Sequence, residues 1–321
     1  MALLAAACSP SASPASSGSA EPASLAPSEA PTPLPTPAAT TAGEHPALVV
    51  ELGLDQAPID VVVAFGSVWV ANHHSDDVVR IDPETGLEQA RIPFTDGTGP
   101  AWFAVSADGV WVTRQNTVGI ARIDPETNEL DPVQSGTLSP CAAPAIARGA
   151  VWYYACDDGE MVRVDLASGD ASVIAADALS NPVAVDDDLY AIGPDGIVRL
   201  AEDGETWTAV GGCCGFLGGF AGGTLWLLDE DQVVRVDPAS GEVTATIPLD
   251  ATGTMGASEE TAWFTSGEGI SGPLRQVRLA DNAILDPLQT SHSPTVVRPD
   301  GSILWVTDFS DSEVWRIDLT E

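Results

Sequence analysis

The chain contains no lysine. All 12 of its basic residues are arginine, and they face 47 acidic ones, for a formal net charge of −35 over 321 residues. A field of that sign repels phosphate backbones and anionic headgroups, which excludes nucleic acid and leaves a lipid anchor as the only expected membrane contact. No CxxC spacing is present, so a zinc ribbon or finger is excluded as well. No stretch shows the apolar periodicity of a helix. Apolar and polar residues instead alternate over four to eight positions between turn residues, which places the chain in the all-β class. Residues 9–44 lack any aromatic side chain and consist almost entirely of Ser, Pro, Ala, Thr, Gly and Glu. Such a segment cannot bury a core and is expected to be a disordered linker.

What is present is a repeat. A tryptophan flanked by apolar residues, a polar loop, then Arg, an apolar residue and Asp recur as "VWVANHHSDDVVRIDPETG" from Val68, "GVWVTRQNTVGIARIDPETN" from Gly109 and "AVWYYACDDGEMVRVDLASG" from Ala150. The pattern returns as "TLWLLDEDQVVRVDPASG" from Thr224 and "ILWVTDFSDSEVWRIDLT" from Ile303. Two degenerate copies begin at Asp188, where Tyr190 replaces the tryptophan, and at Thr261. The repeat arginines, Arg80, Arg122, Arg163, Arg199, Arg235, Arg278 and Arg316, recur every 36 to 43 residues. That is the length of one four-stranded propeller blade. The recurring Asp-Pro-x-Thr/Ser-Gly suits the corner between third and fourth strands, because Pro presets its φ and Gly accepts a positive one. In blade 5 the strands read "GFLGGFA", "TLWLLD", "QVVRVD" and "EVTATIPL".

The expected fold is therefore a seven-bladed β-propeller over residues 45–321. The seventh copy stops after its third strand. The missing outer strand is available as "HPALVVELGLD", residues 45–55, so the N-terminal strand should pair with the last blade and close the ring. The periodic tryptophans, Trp69, Trp111, Trp152, Trp226, Trp263 and Trp305, are expected to pack between blades. Trp102 breaks the period and is placed near the channel mouth.

Four of the five cysteines follow residue 140. If the segment around Arg148 and Gly149 turns as a hairpin, Cys141 and Cys156 face each other at its open end and suit a cross-strand disulfide. Cys213 and Cys214 are adjacent in "GGCCGFLGG" and could form a vicinal disulfide or remain free thiols. The fifth lies in "MALLAAAC", residues 1–8, where "LLAAAC" resembles the lipobox of bacterial lipoproteins. The resemblance implies lipidation of Cys8 after removal of a signal remnant, and a cell-surface, extracytoplasmic location. Ala5 departs from the usual Leu, and neither a basic n-region nor a full-length apolar h-region precedes it, so an ordinary apolar N-terminus is the alternative.

The copies "VWVANHHSDDVVRIDPETGLEQARIPF" and "SPTVVRPDGSILWVTDFSDSEVWRIDL" resemble the YVTN and streptogramin-lyase-like (virginiamycin B lyase-like) repeat propellers across residues 45–321. That resemblance implies the fold but no single activity, since members include extracellular binding proteins, sensor domains and a metal-dependent lyase. The lyase pattern has a His entering an inner strand, as in "PHGIA", and a Glu ending "LWFTE", which hold a divalent cation. Here the corresponding positions are Pro294 and Asp308 in the seventh copy and Ser266 in the sixth, while His292 lies two residues early.

Candidate site residues follow from the loops that gather on one face around the channel. These are Asn72, His73, His74 and Asp76 of blade 1, Arg114, Gln115 and Asn116 of blade 2, and Asp157 and Asp158 of blade 3. Asp229 and Glu230 of blade 5 join them, with His292, Asp308 and Asp311 of blade 7. A polar cluster of His73, His74, His292 and Asp308 is expected where blades 7 and 1 meet, with His73, His292 and Asp308 as ligands for a divalent metal ion. Arg114 and Trp102 complete the binding face. His73 and His74 are vicinal, so on an extended segment only one would face the channel. The sequence reads as a monomeric binding or protein-interaction module for a protein, peptide or glycan, with a divergent metal-dependent lyase as the alternative.

Overall fold

The computed structural model describes residues 34–53, 55–133, 138–175, 180, 182–211, 215–229, 231–251, 253–265, 271–290 and 292–320. Cys8, Cys213, Cys214, Glu230 and Ser266 lie outside these residues.

The chain forms seven antiparallel sheets, each with its strands in sequence order except the last. Blade 1 is Pro58–Ala64, Ser67–Asn72, Asp77–Ile81 and Glu88–Pro93. Blade 5 is Phe216–Ala221, Thr224–Asp229, Gln232–Val236 and Val243–Ile247, the strands its sequence indicates. Blade 7 contains Pro294–Asp300, Ile303–Asp308 and Glu313–Asp318, and its fourth strand is His45–Glu51 from the other end of the chain. The closure pairs Ala47 with Ile317 and Glu51 with Glu313. A fifth strand, Ala38–Ala42, then pairs with His45–Glu51 through a turn at Gly43, whose φ of +60° favours glycine. This corrects the linker boundary. The lack of aromatics places residues 38–44 in the linker, yet a short outer strand needs only backbone hydrogen bonds, and within it Ala42 alone is buried, beside Leu288 in the blade 6/7 cluster.

The hydrophobic core is divided among the gaps between blades. Trp69, Ala71 and Val78 of blade 1 pack with Phe103, Val110 and Val112 of blade 2. Trp226 and Leu228 of blade 5 meet Ala262, Phe264 and Val277 of blade 6, and Trp305 and Val314 of blade 7 meet Val61, Val68 and Val70 of blade 1. The repeat tryptophan is thus interblade packing. Its indole N–H is satisfied locally, donating to the carbonyl five residues earlier in Trp69, Trp152 and Trp226 and to the Ser106 hydroxyl in Trp111.

The repeat arginine sits directly across from that tryptophan, as in Trp69↔Arg80, Trp111↔Arg122, Trp152↔Arg163, Trp226↔Arg235 and Trp305↔Arg316. In blade 4 the pair is Tyr190↔Arg199. Blade 6 differs: Gln276 stands opposite Trp263, and Arg278 lies two residues further on, at the corner. The sequence alignment that made Arg278 a repeat arginine is therefore corrected by register. Arg278 donates its amide to Ala283 O, the bond that Asp82 makes to Leu87 O in blade 1, which shows that it occupies the corner position.

Candidate functional site

On the channel face a depression of about 420 Å³ is lined by residues from four blades. Blade 1 contributes His73 and His74, blade 2 contributes Gln115 and Asn116, blade 3 contributes Ser139, Cys141 and Asp157, and blade 7 contributes Phe309. Four equivalent positions converge nearby, because His73, Gln115, Cys156 and Phe309 each fall four residues after the repeat tryptophan, where the second strand releases the chain into its loop. Strand alternation ends there. Asn72 is the last strand residue, so both histidines line the depression, contrary to the expectation for an extended segment. Their ring centroids are 5.7 Å apart and tilted by 53°, and the His74 ring meets Phe309 edge to face at 5.6 Å.

The loops are held by backbone and carboxylate bonds. The amides of His73 and His74 donate to Ala57 O and Gln56 O, and those of Gln115 and Asn116 donate to Gly99 O and Thr98 O. Asp76, itself at φ +54°, accepts from the amides of Gly97 at 2.6 Å and Gly99 at 2.7 Å. It is a brace. That brace places Gly99 beneath the site, where a Cβ would fall 2.5 Å from Asn116 Nδ2 and 2.6 Å from His73 Cε1. Glycine is required for those side chains to approach, and Asn116 Nδ2 lies 3.4 Å from His73 Nε2. His74 Nδ1 pairs with Asp55 at 3.0 Å on the exposed rim.

A disulfide joins Cys141 to Cys156, with Cα atoms 5.8 Å apart. The hairpin between them turns at Arg148 and Gly149, with φ of 52° and 68°. The bridge anchors residues 139–141 as one wall of the depression, and the Cys141 amide donates to Tyr154 O. Behind that wall a second cavity, of about 240 Å³, occupies the channel and is lined by Trp102, Cys141, Phe216, Met255 and Arg298. Trp102 therefore belongs to the channel and not to the depression with the histidines. Nearby, the fully buried Asp60 ties three inner strands together. It accepts from Phe103 N at 3.0 Å and pairs with Arg298 at 3.1 Å, so blades 7, 1 and 2 meet at one carboxylate.

Three expected site residues are used elsewhere. The Asp308 carboxylate is fully buried and caps its own loop, accepting from Ser293 N at 2.7 Å and Asp311 N at 2.8 Å. His292 Nε2 lies 3.0 Å from Ser271 Oγ, on the blade 6 side. Arg114 folds back to the Val118 carbonyl of its own loop, and burial lowers its pKa. The expected ligands His73, His292 and Asp308 therefore do not converge. Among the described residues no group of three His, Cys, Asp or Glu is placed to hold a metal ion. The Asp308 carboxylate is occupied by the amides of the two loops that flank the first two strands of blade 7. Ser139, Cys141 and Phe309 were missed as lining residues, although the spacing of four from the tryptophan would have selected Phe309.

No family model and no curated protein sequence matches the chain. Solved structures do. A catalytically inactive virginiamycin B lyase from Staphylococcus aureus, solved with quinupristin, is 20% identical and superposes with a TM-score of 0.68 over 85% of this chain and 99% of that one. The shared architecture is a seven-bladed β-propeller. BamB from Moraxella catarrhalis is 13% identical with a TM-score of 0.58 over 88% of this chain and 96% of that one, and the RRP9 WD40 repeats are 11% identical with a TM-score of 0.69 over 89% and 99%. At these identities the likeness is one of fold. The structures that share this propeller fold include a lyase as well as WD40 repeats, so the activity must be argued from this chain's own side chains.

Proposed function

We propose that this chain is an extracytoplasmic, lipid-anchored propeller that works as a binding module, holding a peptide or glycan of its partner in the depression formed by blades 7, 1, 2 and 3. The observation that carries the reading is the composition of that depression. Hydrogen-bonding groups from His73, Gln115, Asn116 and Asp157 stand beside the His74–Phe309 aromatic pair on loops fixed to a rigid ring. Directional polar groups next to an aromatic surface suit a ligand with alternating polar and apolar faces. The lyase alternative has no comparable support, because its expected ligands are committed to other bonds. The Cys141–Cys156 disulfide favours an oxidising compartment, and the "LLAAAC" resemblance favours anchoring through Cys8.

Binding of the full chain to peptide and glycan arrays, beside an Asn116→Ala, His74→Ala double variant, tests the site. Ligands retained by the parent and lost by the variant are expected. Equal binding by both, or none by the parent, removes the reading. Anchoring is tested separately by mass spectrometry of the membrane fraction, where an unmodified Met1 or a free Cys8 thiol would exclude it.

A further inference from the structure

The missing arginine of blade 6 leaves a groove. In blade 1 the Arg80 guanidinium lies 4.7 Å from the Trp69 ring centroid and crosses to blade 2, donating to Pro125 O at 2.7 Å and Asn128 Oδ1 at 2.9 Å. In blade 5 Arg235 lies 4.9 Å from the Trp226 centroid and donates to Leu279 O and Asn282 of blade 6. In blade 7 Arg316 reaches Pro83 O of blade 1. In blades 1 and 5 the repeat arginine is therefore a cationic plug that covers a tryptophan face and closes the gap to the next blade, whereas Arg122, Arg163 and Arg199 bond within their own blades.

Between blades 6 and 7 no such plug is present among the described residues. Gln276 holds the position opposite Trp263 but turns outward to donate to Asp286 O at 2.8 Å, and Arg278 is occupied with Asp281 at 3.1 Å. The space is a cavity of about 720 Å³ on the face opposite the histidine depression, lined by Trp263, Glu259, Glu260, Pro299 and Leu319. Trp263 is 4% exposed, and its buried indole N–H has no hydrogen-bond partner among the described residues, whereas the same group in Trp69, Trp152 and Trp226 is bonded. The two glutamates at the rim are exposed. Leu319 stands where Pro125 and Leu279 stand in the plugged gaps, as its amide bond to Ser302 O matches that of Leu279 to Glu260 O.

We propose that this groove receives an arginine side chain from a partner protein, whose guanidinium takes the place that Arg80 and Arg235 fill in their own blades. The chemistry is read from the chain itself, which uses a guanidinium over tryptophan in two other gaps. A planar guanidinium stacks at the Trp263 ring while its N–H groups reach Glu259 or Glu260. The site is independent of the histidine depression, so neither reading depends on the other.

The test is calorimetric titration of the full chain with the capped tripeptide Gly-Arg-Gly and with its citrulline counterpart, which keeps the shape and loses the charge. Saturable binding of the arginine peptide alone is expected, with a shift of the Trp263 indole N–H signal in NMR spectra. Glu259→Gln with Glu260→Gln, both at exposed positions, should weaken binding by about tenfold. Gln276→Arg supplies an internal plug and should abolish it. Absence of saturable binding, equal binding of the citrulline peptide, or binding unchanged by Gln276→Arg would overturn the proposal. The last outcome would identify attraction to the overall negative charge as the cause.

Discussion

Trp69 and Arg80 lie directly opposite each other on adjacent strands of blade 1, and the guanidinium of one covers the ring of the other while its Nη1 donates to the corner of blade 2. One residue pair thus joins the stacking within a blade to the bonding between blades. In blade 3 the equivalent Arg163 lies 6.0 Å from the Trp152 centroid and pairs with Asp165 of its own blade. Arg80→Ala should therefore cost about 2 kcal/mol, through lost charge-assisted hydrogen bonds and cation–π contact, against less than about 1 kcal/mol for Arg163→Ala. Urea denaturation of the two variants measures the difference. Equal losses would show that the crossing bonds contribute nothing.

Ring closure makes a second comparison available. Val50 and Leu52 are buried against blades 7 and 1, and the Leu52 amide donates to Ser312 O, whereas the outer strand Ala38–Ala42 is mostly exposed. Removing residues up to 44 should change the thermal midpoint little. Removing residues up to 52 strips the closing strand, unpairs Glu313–Asp318 and should cost about 5 kcal/mol or more. A melting curve for the longer deletion that matches the parent would contradict closure as the stabilising device.

The fold was legible because its signals are short-range and repeated. Strand alternation, the Asp-Pro-x-Thr-Gly corner and the tryptophan four residues before each loop need no knowledge of the neighbouring blade. Even the substitutions at the corner follow local rules, since Asn128 and Asn282, at φ +60°, adopt the left-handed conformation that Gly86, Gly169 and Gly241, at φ +70° to +74°, adopt elsewhere. The site was half legible. His73, His74, Gln115, Asn116 and Asp157 come together because they lie on homologous loops of adjacent blades. Asp308 and Arg114 do not join them, because each finds loop partners within a few residues. The vacancy opposite Trp263 was hidden by a two-residue shift, which an alignment on Arg-apolar-Asp reads as an intact repeat.

Gly99 tests the histidine depression without touching its polar groups. At φ +61° an alanine is strained, and its Cβ would also collide with Asn116 and His73. Gly97, at φ +76°, has open space around the same atom. Gly97→Ala therefore reports backbone strain alone, about 1 kcal/mol, and Gly99→Ala should cost a further 1 to 2 kcal/mol, roughly, as the side chains are displaced. The His73 ring resonances in carbon–proton NMR spectra should move in the second variant and stay in place in the first. Identical spectra would mean that His73 and Asn116 do not meet over Gly99.

Acid should unfold the propeller through its corners. Hydrogen bonds from turn amides and hydroxyls hold the carboxyls of Asp82, Asp124 and Asp237 below the ordinary range, and the Thr206 hydroxyl with the amides of Glu205 and Thr206 brings Asp203 down to about 2. A folded pKa below the unfolded one contributes stability that is complete above the ordinary value of 3.8 and is lost as pH falls toward 2. Glu313 works in the opposite direction. Burial first, then the nearby Asp311, Asp308 and Glu51 charges, raise its pKa above the ordinary 4.5, so its contribution is present below that value and is lost as pH rises through the folded pKa. Unfolding free energy followed by urea titration should therefore fall between pH 4 and 2 in the parent. Asp203→Asn, which retains an acceptor and cannot titrate, should make that fall shallower, and Glu313→Gln should flatten the decline above pH 4.5 while leaving the acid limb intact. If Asp203→Asn leaves the acid limb unchanged in slope, the corner carboxylates are not the groups whose protonation drives unfolding.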